Sequence, residues 1–556
     1  MGGTCITQVE PVFGMDRVTL EEIRTFISSL AARSNVSHPS AKEVEREAEH
    51  FGTRTALGSI NYVSTVKNLS TALTVYLGSP NVEKEELTQR KRDIKKTAPA
   101  TIRLVHDYLT KAPIVQVNTC MGEGSDFTPA CAFYISTYRK DSIRLAHKVT
   151  KALFPPRDDL ETKLHVIMIP EWPEKERQVL VLPEIGVTYI LGSDFYGEAK
   201  NAFLRMAMWL AKRQGMLGLH AGTKIVRARG SDGRLRRIGM IMFGIAATGK
   251  TTHSCHHHGL DGKGEGVEIV QDDVVFWRKD GSALGSERGL YIKTEGLSAG
   301  DQPLLYRAAI CPDAILENVM VDHEGNVDFA DRTLTPNGHA IAPRSGLGEF
   351  ASETPNLPPL AELDGLIMAF MVRNYTVVPI VSKLTPEQAT VAFMLSESID
   401  AAASDQQPGI PGGIGASPFL IGDAAEDCNL FLEMLKAHGE KVQCYMLNTG
   451  GVGELVEHAL DGSRRVRQKV TRISIPEMAS IIRAIVRDAV EWREDPDWMV
   501  ETPSYIDGLD ITKFELSRHY DQSTIDSLIA EIRMERAAYA EQFPSLDPAI
   551  RKAAEF

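Results

Sequence analysis

Residues Gly244-Ile245-Ala246-Ala247-Thr248-Gly249-Lys250-Thr251 fill every fixed position of the pattern GxxxxGK[ST]. That pattern does chemistry only between a strand and a helix. The apolar run Ile238 to Phe243 supplies the strand, and the residues after Lys250 can continue as a helix. In such a loop the backbone N–H groups point inward and hold phosphate oxygens, assisted by the positive end of the following helix. Lys250 is placed to reach the β- and γ-phosphates, and the Thr251 hydroxyl to sit on a bound divalent metal. Glycine lets the backbone approach the anion with no Cβ in the way. Further on, Ile269-Val270-Gln271-Asp272-Asp273 reads as an apolar strand ending in two carboxylates. An acidic residue at such a strand end holds the metal in P-loop proteins. The plain alternative is a turn of solvated aspartates.

The run His253-Ser254-Cys255-His256-His257-His258 invites a metal reading. It falls in the helix expected after the phosphate loop, where consecutive side chains point apart and only His253 and His257 share a face. A satisfied or exposed helix surface is therefore the expectation. Trp209 lies amid apolar helical residues and is expected in the core. No Gly-x-Ser-x-Gly pattern is present.

These groups need elements to position them. Residues from about 15 to 110 read as mostly helical, with Thr19 and Glu22 spaced as a capping box. Glu83 to Leu109 alternates charged and apolar positions at helical spacing. From Pro113 short β-branched runs appear: Ile114 to Val117, Leu164 to Ile169 and Gln178 to Leu182. Lys200 to Gln214 is helical, with Leu204, Met208 and Ala211 on one face. Lys224 to Arg229 and Arg237 to Phe243 form a hairpin-like pair around Gly230-Ser231-Asp232-Gly233. Gln407 to Ser417 is rich in Gly and Pro and reads either as a surface loop or as a lid. Ser523 to Phe556 looks like a terminal helix pair. No internal repeat or low-complexity tract is visible.

The 556 residues allow three to four domains or two large ones. Hydrophobic residues at 43% and charged residues at 24% are ordinary for a packed globular protein. Lys and Arg number 61 against 74 Asp and Glu, a formal charge of −13. That balance argues against a nucleic-acid binder, though it leaves room for a local basic pocket for phosphates. The longest apolar candidate for a membrane helix, Leu366 to Val381, is broken by Arg373 and Asn374. No basic segment precedes an apolar run near Met1, and Ile6 stands where a myristoylation signal needs Ser or Thr. The 7 cysteines are scattered, with no CxxC pair, as expected of reduced thiols. The expectation is a cytoplasmic protein acting on a small molecule, with no nucleic-acid or membrane partner; oligomeric state is left open.

The ordered set of motifs resembles the ATP-dependent phosphoenolpyruvate carboxykinases. Carrying the resemblance, besides the P-loop with Thr252 and the pair Asp272-Asp273, are Asp313-Ala314-Ile315-Leu316-Glu317-Asn318-Val319 and Asp328-Phe329. So do Ser382-Lys383-Leu384-Thr385, Asn448-Thr449-Gly450 and Arg472-Ile473-Ser474-Ile475. The similarity runs with gaps from about Pro113 to the C-terminus. It implies an α/β, two-lobed fold with a P-loop nucleotide-binding C-terminal lobe. Residues 1–110 would be a helical N-terminal segment, 111–225 with part of it the substrate-side lobe, and 226–556 the ATP-binding lobe. The implied reaction converts oxaloacetate and ATP to phosphoenolpyruvate, CO2 and ADP, a step of gluconeogenesis.

Residue by residue, the resemblance implies that His220 and Asp273 ligate Mn2+, while Thr251 ligates the Mg2+ that travels with ATP. Ala247, Thr248, Gly249, Lys250, Thr251 and Thr252 would hold the nucleotide's phosphates, with Arg472 and Ile475 framing base and ribose. Lys200, Lys250, Lys293 and Asp272 would be catalytic. Departures gather on the acceptor side. Asn201 replaces a second lysine near the metal, its amide oxygen still able to coordinate. Phe195 replaces a tyrosine, with Tyr196 next to it. A substrate arginine falls near Gly338-His339, leaving Arg344 close by. The family's Gly-Arg-Ser motif has only Arg54 or Lys67 as stand-ins, and Ala246-Ala247 replace a serine-glycine pair. Tyr196, His339 and Arg344 are thus the candidate substrate residues. Bidentate arginines are the usual device for a small dicarboxylate. Three readings follow: a divergent carboxykinase, a kinase for a different small acceptor on the same scaffold, or a non-catalytic ATP-binding regulatory protein.

Overall fold

A computed structural model describes residues 17–83, 88–124, 126–244, 248–333, 337–398, 419–458 and 464–555. The fold is mixed α/β, built on three principal sheets. The first has seven strands and is buried on both faces. Its strands Ala130–Ser136, Gln178–Leu182 and Val187–Leu191 are wholly buried, which is why their sequences run apolar without alternation. Alternate residues still divide between the faces. Phe133, Ile135, Val166 and Met168 pack with the helices Ile143–Ala152 and Tyr196–Arg213. Ala132, Tyr134, Ile167 and Leu180 pack with the helix Gln89–Leu109. That helix buries Ile94, Ala98, Ile102, Val105 and Leu109, one stripe at helical spacing, and Thr88 caps it.

The ten-stranded sheet carries the chemistry. Leu217–Arg229 and Leu235–Phe243 form a long antiparallel hairpin with Thr223 opposite Ile241. Leu235–Phe243 then pairs in parallel with Gly365–Val372, and that strand with Val442–Asn448. Ala424–His438 and the C-terminal helices Gln522–Glu541 and Pro548–Ala554 cover one face, and Ile475–Val486 the other. A five-stranded sheet joins Thr53–Arg54 and Ile60–Tyr62 to Gly289–Lys293, Ile315–Glu317 and His339–Pro343.

Several expectations need correcting. The first 110 residues hold strands as well as helices: Thr74–Tyr76 pairs with Gln178–Leu182, and Ile60–Tyr62 with Ile315–Glu317. Thr19 lies inside a helix that already starts at Arg17. The helix after the phosphate loop is only Lys250–Ser254, so His256, His257 and His258 lie beyond it, His258 with a left-handed φ of 55°. The apolar run from Leu366 is a sheet strand, and no helix among the described residues is long and apolar enough to cross a membrane. The segment Gln407 to Ser417 lies outside the described residues, as does Cys5. Among the described residues the other six cysteines form no disulfide.

Candidate active site

Three elements aim side chains at one carboxylate, which a fourth supplies. Asp273 follows the strand Gly266–Gln271. His220 sits on Leu217–Arg229, Lys200 in the first turns of Tyr196–Arg213, and Lys250 at the start of Lys250–Ser254. Lys250 Nζ donates to Asp273 Oδ1 at 3.0 Å, and His220 Nε2 lies 2.9 Å from the same oxygen. Lys200 donates to Oδ2 of Asp273 and, at 3.0 Å, to Glu287 Oε2. Burial alone would raise Asp273, but Lys200, Lys250 and His220 outweigh it and hold the carboxyl well below the usual range. Burial, seconded by Lys250, keeps the His220 ring neutral. Burial opposes the Lys200 charge, yet Asp273 and Glu287 more than restore it. Glu287, deeply buried, is pushed up to about 7.

Asp272 turns the other way. It accepts from Ser254 Oγ at 2.9 Å, and so ties the carboxylate turn to the phosphate-loop helix instead of joining the cluster. Burial raises its pKa. Its backbone N–H donates to Gln271 Oε1 at 2.8 Å, and Gln271 Nε2 reaches the Glu287 carbonyl at 2.9 Å. The two carboxylates and Glu287 are therefore braced by one short polar chain.

On the nucleotide side, Gly249 adopts φ 88°, the left-handed turn that a side chain resists, and it caps the Lys250 helix. Ala247 lies outside the described residues. Thr248 is buried, and its carbonyl accepts from Thr449 Oγ1 at 2.7 Å; the same hydroxyl reaches the Val372 carbonyl at 3.1 Å. The Asn448-Thr449-Gly450 motif thus fastens the loop to the central strand. Thr251 remains half-buried on the loop helix, and Thr252 Oγ1 donates to Gln302 Oε1 at 3.3 Å. Arg472 is exposed, its guanidinium 5.1 Å from the Tyr375 ring centre. Ile475 is half-buried at the first position of a helix capped by Ser474 and Glu477. Lys293 is largely exposed and pairs with Glu295 at 3.2 Å.

On the acceptor side stands an aromatic wall. Tyr291 stacks on His339 with ring centres 4.4 Å apart and planes 5° from parallel, and Tyr196 meets Tyr291 edge-on at 5.6 Å. Phe195 lies 6.1 Å from His339, and Lys200 Nζ 5.3 Å from the Tyr291 ring. Burial drops His339 to about 3, so it is a neutral ring. The structure corrects Arg344: its guanidinium donates to the Val270, Ser352 and Thr354 carbonyls and to Ser352 Oγ at 2.6 Å. It braces the strand that leads to Asp273 and does not face the wall. Arg54 pairs with Glu49 at 2.7 Å on the surface, whereas the Lys67 carbonyl accepts from Asn337, two residues from His339.

Glu287 escaped sequence reading, and so did two buried pairs behind the wall. Arg144 binds Asp194 at 2.7 Å, and Asp194 also accepts from the backbone N–H groups of Thr65 and Val66. Lys148 pairs with Glu317, both fully buried. One signal was available: Arg144, His147 and Lys148 share a face of a short helix that also carries Ile143, Leu145, Ala146 and Val149, and such groups need partners once the helix is buried.

The donor set fits a divalent cation. A shell with bonds of about 2.1 Å places adjacent donors about 3 Å apart, and neutral His220 Nε2 and ionised Asp273 Oδ1 have that spacing. No group of three His, Cys, Asp or Glu side chains converges among the described residues, so a further donor would be the buried Asn201 amide.

The phosphoenolpyruvate carboxykinase family model matches residues 86–512. A phosphoenolpyruvate carboxykinase (ATP) from Aeropyrum pernix is 30% identical over 441 residues, covering 79% of this chain and 83% of that protein. Another, from Rhizobium rhizogenes, is 26% identical over 371 residues, 64% of this chain and 63% of its own length. A third, from Rhizobium etli, is 27% identical over 331 residues, 58% and 55% respectively.

Proposed function

This chain belongs to the ATP-dependent phosphoenolpyruvate carboxykinase family, and from that membership we propose that it converts oxaloacetate and ATP to phosphoenolpyruvate, CO2 and ADP in the cytoplasm. The observation that supports this most is the convergence of Lys200, Lys250 and His220, from three separate elements, on Asp273. Phosphoryl transfer gains chiefly from fixed positions and fixed positive charge.

Loop amides and the Lys250 ammonium hold the triphosphate, with Thr251 and Thr252 beside them. Loss of CO2 from the acid leaves an enolate, and its oxygen takes the γ-phosphoryl group as ADP departs. Lys200, kept charged by its two carboxylates, faces the aromatic wall and offsets negative charge on that oxygen. His220, Asp273 and Asn201 would hold one divalent cation and Thr251 the cation that travels with ATP; bound there, such ions polarise the oxygens that gain charge. Phe195, Tyr196, Tyr291 and His339 shield the acceptor pocket from water.

A second reading rests on Arg344 and His339. Arg344 is committed to backbone carbonyls and His339 is a neutral ring, so neither supplies the fixed cation that a dicarboxylate favours. That pattern suits a kinase for a less charged acceptor. The deciding measurement is oxaloacetate-dependent formation of ADP and phosphoenolpyruvate. Both products in equal amounts support the first reading. ATP binding without oxaloacetate turnover would replace it with the second, and ADP release across a panel of small alcohols and acids would then identify the acceptor.

A further inference from the structure

Lys224 is wholly buried, yet among the described residues no carboxylate pairs with it. It lies on Leu217–Arg229, which passes close beneath the phosphate-loop helix: a Cβ on Gly222 would come within 2.6 Å of the Ser254 Cβ. Lys224 is two residues further along and therefore points to the same side of the strand. Its ammonium donates to the His253 carbonyl at 2.6 Å and the His256 carbonyl at 3.4 Å, and touches His258 Nε2. The His253 carbonyl lies in the last turn of the short helix that begins with Lys250 and Thr251, and the His256 carbonyl lies just past its end. A lysine at the carbonyl end of a helix satisfies groups left without intrahelical partners and favours the helix charge distribution.

We infer that Lys224 is a positioning residue for the phosphate loop: its ammonium clamps the carbonyl end of the Lys250–Ser254 turn and fixes Lys250 and Thr251 toward the nucleotide. The inference rests on the phosphate-loop reading and extends it to a residue that touches no phosphate. The titratable groups facing Lys224 are His253, Cys255, His256 and His258. Burial holds the three rings neutral and raises the thiol, so none supplies a counter-charge. Burial also lowers Lys224 itself, to about 7. The clamp is therefore charged below that pH and loses its charge above it.

The test is ATP affinity, measured calorimetrically with Mg2+ from about pH 6 to about pH 9 on the wild type, Lys224→Gln and Lys224→Arg. At the acid end Lys224→Gln should bind ATP about tenfold more weakly than wild type. As pH rises through about 7, the wild-type affinity should descend toward that of Lys224→Gln. ATP ionises identically against all three proteins, so the difference between curves reports the lysine. Lys224→Arg keeps a permanent cation and should bind tightly with no such descent. Should Lys224→Gln not fold, Lys224→Arg decides alone: a descent that persists in it overturns the inference. Parallel wild-type and Lys224→Gln curves overturn it too, while the phosphate-loop reading survives. A wild type that binds no ATP at any pH defeats that reading, and this inference with it.

Discussion

Asp273 is one carboxylate facing three cationic or polar partners, and its charge holds the cluster together. Asp273→Asn keeps the shape and removes the charge, leaving Lys250 without its counter-ion and Lys200 with Glu287 alone. Uncompensated buried charge is costly, so urea unfolding should show a loss of about 3 kcal/mol, and Mn2+ titration a weakening of 10- to 100-fold or more. Unchanged stability would mean that Glu287 suffices to hold Lys200. At this scale the sequence was legible where residue type and motif coincide: Lys200, His220, Lys250 and Asp273 do meet. Glu287 and Lys224 were invisible because their partners lie far along the chain, where spacing carries no information. Arg344 misled for the opposite reason. An arginine near a motif advertises a charge, but only packing shows that carbonyls have taken it.

Among the elements, the hairpin was readable from its turn at Gly230 to Gly233, as Lys224 to Arg229 with Arg237 to Phe243; its first strand in fact starts at Leu217 and so carries His220. The docking of Ile60–Tyr62 beside Ile315–Glu317 was not, since nothing local specifies a partner more than two hundred residues away. Asn318 supplies much of that docking. It sits at φ 59°, and its Oδ1 accepts from the Ser64 N–H at 2.9 Å while its Nδ2 donates to Ser64 Oγ at 2.9 Å. Asn61 Nδ2 answers with a 2.9 Å bond to the Val319 carbonyl. Asn318→Ala combines left-handed strain with an unpaired buried N–H, so unfolding free energy should drop by about 3 kcal/mol. Asn318→Gly relieves the strain alone and should recover about 1 kcal/mol of it. Amide exchange should quicken from Ile60 to Lys67 in both variants. Protection equal to wild type there would place the docking energy elsewhere.

For the whole molecule, the decisive feature is that the expected boundary before residue 226 runs through two of the three principal sheets, the ten-stranded and the five-stranded. A division between residues 225 and 226 passes through Leu217–Arg229 and separates His220 from the hairpin that carries it. It would leave Gly239 to Phe243 without their antiparallel partners, and the five-stranded sheet without Thr53–Arg54 and Ile60–Tyr62. It would also strand Lys148 from Glu317, each fully buried, at a cost of about 3–5 kcal/mol for whichever charge stays inside. The helix Tyr196–Arg213 adds to this, because it packs under the seven-stranded sheet while delivering Lys200 to Asp273. Residues 226–556 expressed alone should therefore lack the near-UV circular dichroism of fixed aromatic packing, expose apolar surface to a hydrophobic dye, and bind no ATP. A fragment that melts cooperatively and retains ATP would show that the nucleotide half folds by itself, and the site would then be assembled by docking. If the fragment fails, folding and assembly of the cluster around Asp273 are one event. Ligands that bind the native state alone then stabilise both halves together: ATP with its cation at about 100 times Kd should add about 2.7 kcal/mol to a single transition.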